Sequence, residues 1–127
     1  MPNGVPMLSL DLFHSEPTMP VEAGHVLLAQ GEAGDAMYVV ASGRFAIRVN
    51  DQTIEEVPPG GVVGEMALID HQGRSAEVVA LEPSTVVKVD EKRFLFLVQN
   101  HPYFAIDMMR IVVARLRHAD SIIAHTG

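Results

Sequence analysis

The sequence predicts a mainly β domain closed by α-helices, its strands arranged as a sandwich or barrel. Three observations carry that expectation. Between Val21 and Asp90, short β-branched segments joined by Gly and Pro recur roughly every 8–12 residues. One of them alternates: "RFAIRVN" (44–50) puts Phe45, Ile47 and Val49 on one face and Arg44, Arg48 and Asn50 on the other. After Asp90 the punctuation stops and the apolar period lengthens to a helical one.

Taken in order, residues 1–7 contain Pro and Gly and are expected to fray. "LSLDLFHS" (8–15) suits one or two helical turns, with Ser9 as N-cap. "HVLLAQ" (25–30) is bounded by Gly24 and Gly31, and "AMYVVAS" (36–42) lies between Gly34-Asp35 and Gly43. "QTIEEVPPG" (52–60) follows a polar turn at Asn50-Asp51. "EMALID" (65–70) has enough Ala, Leu and Met for one or two helical turns. "SAEVVAL" (75–81) and "STVVKVD" (84–90) are separated by Glu82-Pro83. "EKRFLFLVQN" (91–100) has the acidic start and spacing of a short helix, which His101-Pro102 ends.

A longer helix is expected from 103 to about 125, with no interior Gly or Pro. Ala105, Met109, Val112, Leu116, Ala119 and Ile123 recur at alternating four- and three-residue steps, the spacing of a coiled-coil seam. That stripe either packs on the domain's own barrel or meets a second subunit. Ile106, Ile111 and Val113 lie outside it, so the helix is apolar on more than one face. The chain thus reads as one domain over 1–127, with a β portion at about 12–90 and C-terminal helices at 91–125.

Composition narrows the function. Hydrophobic residues make up 48% of the 127 and charged residues 20%, the balance of an ordinary globular chain. Sixteen acidic against nine basic side chains leave −7, which argues against a general nucleic-acid surface. It leaves room for a local positive pocket that holds one small anion. No cysteine is present, which excludes disulfides, zinc-thiolate sites and thiol catalysis. The N-terminal stretch has no basic n-region and is broken by prolines, and the apolar runs fall well short of the ~20 residues of a membrane helix. A soluble, cytoplasmic chain without a membrane partner is expected.

Enzyme signatures are also missing. The histidines at 14, 25, 71, 101, 118 and 125 are dispersed and none form His-x-His, so neither a metal site nor a metal enzyme of the cupin kind is expected. His71 reads as a solvent-exposed loop histidine. The phosphate loop G-x-x-x-x-G-K-[ST] is absent, "GGVVGE" is not G-x-G-x-x-G, and no Ser or Thr is recognisable as an activated nucleophile. No catalytic residue, metal or cofactor is assigned.

The candidate site is "GEMALIDHQGRSA" (64–76). Gly64 lets the backbone approach a ligand, and the first amides of the helix that follows, near Met66 and Ala67, are candidate phosphate donors. Gly73 relaxes the turn after it. Arg74 can make a bidentate, charge-assisted contact to a phosphate, and Ser75 can add a hydroxyl donor. Glu65 would repel a bare phosphate but is a good acceptor for a ribose hydroxyl. An anion that carries a hydroxyl close to its phosphate-bearing ring is a cyclic nucleotide. The plainer alternative is a surface salt bridge between Glu65 and Arg74, worth ~0–1 kcal/mol.

"GDAMYVVASGRFAIRV" (34–49) with "GGVVGEMALIDHQGRSAEVVAL" (60–81) resembles the cyclic nucleotide-binding domain. That family includes catabolite activator protein, the regulatory subunits of cAMP-dependent protein kinase and nucleotide-gated channels. The similarity runs roughly from Leu12 to Ala124. Gly64-Glu65-Met66-Ala67-Leu68 with Arg74-Ser75-Ala76 is similar to its phosphate-binding cassette; Val63 stands where an aromatic residue is often found. The resemblance implies a double-stranded β-helix, an eight-stranded jelly roll, with a short N-terminal helix and C-terminal helices, the last lying across the pocket. It further implies Glu65 on the ribose 2′-hydroxyl, Arg74 and Ser75 on the cyclic phosphate, and amides near Met66 and Ala67 on its oxygens. The ligand-binding set is then Val63, Gly64, Glu65, Met66, Ala67, Arg74, Ser75 and Ala76, with cAMP or cGMP as ligand.

Ser75, directly after the cassette arginine, permits contact with the 2-amino group of a syn guanine without requiring it, and cAMP is the favoured ligand. Within the basic cluster Arg110, Arg115, Arg117 and His118, the resemblance offers Arg115 as a lid that reaches back to Glu65 when the pocket is filled. The expected function is a sensor that reports occupancy through its C-terminal helix to a second copy or an effector protein. The family's transcription factors continue into a helix-turn-helix that is not found here, so nucleic acid is not expected as a partner. The alternatives are a ligand-free jelly-roll interaction or dimerisation module, and the excised sensor part of a larger transcription regulator.

Overall fold

The computed structural model describes residues 6–70 and 73–126, and for Asp70 and residues 119–126 the backbone alone. A 3-10 turn at Leu10–Phe13 precedes eight strands: β1 (Met19–Val21), β2 (Val26–Leu28), β3 (Ala36–Ser42), β4 (Phe45–Val49), β5 (Gln52–Val57), β6 (Val62–Val63), β7 (Glu77–Ala80) and β8 (Ser84–Asp90). Helix α1 (Glu65–Asp70) interrupts them between β6 and β7, and α2 (Glu91–Asn100) and α3 (Pro102–Thr126) follow. The strands form two antiparallel four-stranded sheets, ordered β1-β8-β3-β6 and β2-β7-β4-β5. This is a jelly roll, with flanking helices as expected.

Why β3 reads as an unbroken apolar run is now clear: both of its faces are covered. Met37 and Val39 join Leu97, Phe104, Met108 and Ile111 of the helices in one core cluster, and Val40 joins Phe45, Ile47 and Val78 in a second one inside the roll. The β4–β5 hairpin turns at Asn50 and Asp51, whose φ of 51° and 67° suit a two-residue mirror-image turn. Asp90 caps α2 by accepting from the Arg93 amide at 2.8 Å. Pro102 then opens α3, where its missing N–H costs nothing.

Two expectations need correction. Ser9 occupies the N-cap position of the 3-10 turn, but its side chain makes no capping bond. The fraying expected of residues 1–7 falls largely on residues 1–5, which lie outside the description, and at Leu8 the chain is already packed, buried and with its amide on the Gly60 carbonyl at 2.8 Å. Of the two readings of the α3 stripe, packing on the domain's own barrel does not hold. The face against the roll is Phe104, Met108 and Ile111, all buried, followed at the same spacing by Arg115. Met109 and Leu116 of the expected stripe remain 60% and 49% exposed, and the side chains of Ala119 and Ile123 lie outside the described residues. No helix among the described residues is long and apolar enough to cross a membrane.

Candidate functional site

One end of the roll opens into a cavity of about 240 Å³, near the low end of small-molecule pockets. Its floor is apolar, formed by Leu28, Ile47 and Val78 from the interior of the roll. The 64–76 segment supplies the wall through Gly64, Glu65, Met66, Ala67, Arg74, Ser75 and Ala76. Of the expected set only Val63 is absent from the lining: it lies on β6, pairs with Tyr38 and is fully buried in the core behind the cavity. His71 falls outside the described residues.

Glu65 and Arg74 are not a surface pair. They are 2% and 8% exposed, and each is held by a different partner. Arg74 donates from one terminal nitrogen to the Gly64 carbonyl and from the other to the Ala36 carbonyl, both at 2.9 Å. Its own backbone is pinned to the loop before β3: its amide bonds the Glu32 carbonyl at 2.7 Å, and its carbonyl accepts from Gly31 at 2.8 Å. Among the described residues no carboxylate pairs with it. A buried cation held by neutral carbonyls keeps its charge available to an anion.

Two glycines make room for this arrangement. Gly64 has φ of +81°, and a Cβ there would come within 2.6 Å of Arg74 Nη1 and 2.9 Å of Leu28. Gly34 has no unusual φ, yet a Cβ on it would overlap the Arg74 guanidinium itself. Its contribution is empty space, and nothing in the local sequence shows it.

The mouth is closed by α3. Arg115 Nη1 donates to Glu65 Oε1 at 2.7 Å. Its remaining donors meet Glu55 of β5: Nε to Oε1 at 3.1 Å and Nη2 to Oε2 at 3.0 Å. Burial penalises the Arg115 charge, but Glu65 and Glu55 outweigh it and raise the pKa above the ordinary arginine value. One turn on, His118 Nε2 lies 2.6 Å from the Ile54 carbonyl. Leu116, Ile54 and Val49 complete the rim.

The basic cluster read from the sequence is therefore split. Arg115 and His118 face the cavity, whereas Arg110 and Arg117 line a shallow groove on the other side of α3 with Ile106, Met109 and Val113. Sequence reasoning missed Glu55, Ile54 and Gly34. Glu55 was readable only as a polar position on a strand. Among the described residues no group of three His, Asp or Glu side chains is placed to hold a metal ion.

Comparison with known proteins agrees with this architecture. The family model for the cyclic nucleotide-binding domain matches residues 18–101. The cyclic AMP receptor protein of Thermus thermophilus is 33% identical over 102 residues, covering 76% of this chain and 47% of that protein. The solved Thermus thermophilus catabolite activator protein superposes with a TM-score of 0.77 at 30% identity, over 92% of this chain and 58% of its own. A cyclic nucleotide-binding domain from Methylobacillus flagellatus KT gives a TM-score of 0.73 at 27% identity, covering 85% of this chain and 66% of that one. The chain thus spans less than half the length of its Thermus relative. The matched residues hold the eight strands, Gly34 and Gly64, and Glu65 and Arg74 of the cavity wall, and the chain belongs to the cyclic nucleotide-binding domain family.

Proposed function

We propose that this chain is a cytoplasmic sensor that binds cAMP in preference to cGMP, leaves it chemically unchanged, and reports occupancy through α3. One observation carries the reading. A buried cation held by backbone carbonyls (Arg74) and a buried carboxylate (Glu65) line the same small cavity over an apolar floor. A cyclic phosphate seats on Arg74, Ser75 and the amides near Met66 and Ala67, and the ribose hydroxyl donates to Glu65. The purine then lies toward the rim formed by Ile54, Leu116 and His118.

The preference for cAMP is supported by the Thermus relative, named a cyclic AMP receptor protein. Ser75 is exposed within the lining and permits a guanine contact. Side-by-side calorimetric titration with cAMP and cGMP tests the choice; tighter cGMP binding would overturn it. Incubation with cAMP should yield no 5′-monophosphate, and appreciable turnover would refute a purely binding role. Closure of α3 would be read by a second copy or an effector through its outer face, where Met109, Val113 and Leu116 are exposed.

A further inference from the structure

Glu55 sits in the cavity wall where neither phosphate nor ribose calls for it. A carboxylate beside an anion-binding cavity is unfavourable unless something occupies it. Here Arg115 does, through a side-on pair of bonds at 3.1 and 3.0 Å. Two parallel bonds fix both the place and the plane of a guanidinium. The contact to Glu65 is single, so Glu55 sets the geometry and Glu65 receives the donor that is left.

The position of this grip along α3 gives it weight. Phe104, Met108 and Ile111 bury the first half of the helix against the roll, and beyond Ile111 no described residue of α3 is buried. From Val112 to His118 the polar contacts of Arg115 and His118 do the holding. Apart from the bond to Glu65 on α1, they reach two adjacent positions of β5, Ile54 and Glu55, on an edge strand of its sheet.

Resting on the cyclic nucleotide reading, we infer that Glu55 is a positioning residue of the site. It grips Arg115, aims the remaining donor at Glu65, and seats the second half of α3 over the mouth, so that nucleotide adds to a closure Glu55 already sustains. Glu55 therefore governs how slowly ligand leaves rather than where it binds.

The test uses the full 127-residue chain as wild type, Glu55→Gln, Arg115→Ala and the double variant. Without nucleotide, Glu55→Gln should speed amide exchange over residues 112–118 roughly tenfold, the loss of a pair of charged hydrogen bonds, and leave β3 and β8 unchanged. With cAMP, dissociation should quicken by a similar factor, and Glu55→Gln should add nothing in the Arg115→Ala background. Unchanged exchange, or additive effects in the double variant, would overturn the role. If Glu55→Gln also loosened the roll, Arg115→Lys replaces it: an ammonium has no planar fork to make the side-on pair with Glu55, so the same local exchange should rise, and protection equal to wild type overturns the role. A wild-type chain that bound neither cAMP nor cGMP would remove the proposed function, while the nucleotide-free exchange would still decide the latch.

Discussion

The two ends of the cavity hold their arginines by different means. At the deep end Arg74 is set by backbone, its guanidinium between the carbonyls of Gly64 and Ala36 and its own amide on Glu32. At the mouth Arg115 is set by side chains 50 and 60 residues away, Glu65 and Glu55, past Ile111, the last buried apolar residue among those described on its helix. The carbonyls of a backbone cradle are fixed by the fold itself, so it is ready before a ligand arrives. A carboxylate clamp costs only rotamers to open. The deep end therefore suits affinity and the mouth suits reporting. Variants at the two ends should separate accordingly.

The largest effect is expected at Arg74. Replacing it with Ala leaves the phosphate with backbone amides and Ser75, a loss of ~2–5 kcal/mol, or roughly 30-fold to several thousand-fold in affinity by calorimetry. Exchange of α3 in the absence of ligand should stay at the wild-type rate. Wild-type affinity would show that the anion sits elsewhere.

Gly34→Ala sharpens the same point without touching a charged group. The added methyl overlaps the guanidinium, which can swing aside because it is the free end of a long side chain. The fold should survive and affinity fall by ~1.5–3 kcal/mol, about one charged hydrogen bond. A variant that melts like wild type and binds like wild type would mean that Arg74 is not held where binding needs it.

The deep end was also the legible end. Gly64, Glu65, Arg74 and Ser75 lie within one loop and helix, so spacing nominated them together while leaving a surface salt bridge open until the family resemblance supplied roles, and the apolar segments of β3, β4 and β8 marked the roll. What escaped reading was made by distance. Glu55 meets Arg115 across 60 residues, and Gly34 meets Arg74 across a loop pairing that no local pattern encodes. Strands β1 and β6 are three and two residues long, too short to show a period. The face of α3 that meets the roll was not legible because Arg115 ends the buried series Phe104-Met108-Ile111, whereas Met109, Val112 and Leu116 continue an unbroken apolar pattern one residue over, which left packing on the barrel and a second-subunit contact both open.

Glu65→Ala should fall below Arg74→Ala, because it removes one hydrogen bond to a charged acceptor, ~1.5–3 kcal/mol of nucleotide affinity. Unlike Arg74→Ala, it also takes one carboxylate from Arg115 and should raise exchange over residues 112–118. The Glu55 pair should keep that rise smaller than in Arg115→Ala. If Glu65→Ala loosened α3 as much as removing Arg115 did, the closure would depend on Glu65 alone and the mouth would have a single fastening.

The smallest effect belongs to Arg110, on the same helix as Arg115 but turned away from the cavity. Among the described residues its partner is Asp107 at 3.6 Å, and its side chain is 68% exposed. A solvated pair three residues apart on a helix contributes at most ~0.5 kcal/mol, and salt screens it further. Arg110→Ala should therefore leave cAMP affinity within about twofold and exchange over 112–118 unaltered. The same substitution at Arg115 removes three bonds, leaves Glu65 buried without its cation, and should speed exchange there at least tenfold. Equal responses from the two arginines would mean that α3 is sensitive to its total charge and not to the grip at the mouth. A selective loss of affinity from Arg110→Ala would move the functional face to the outer groove with Met109 and Val113.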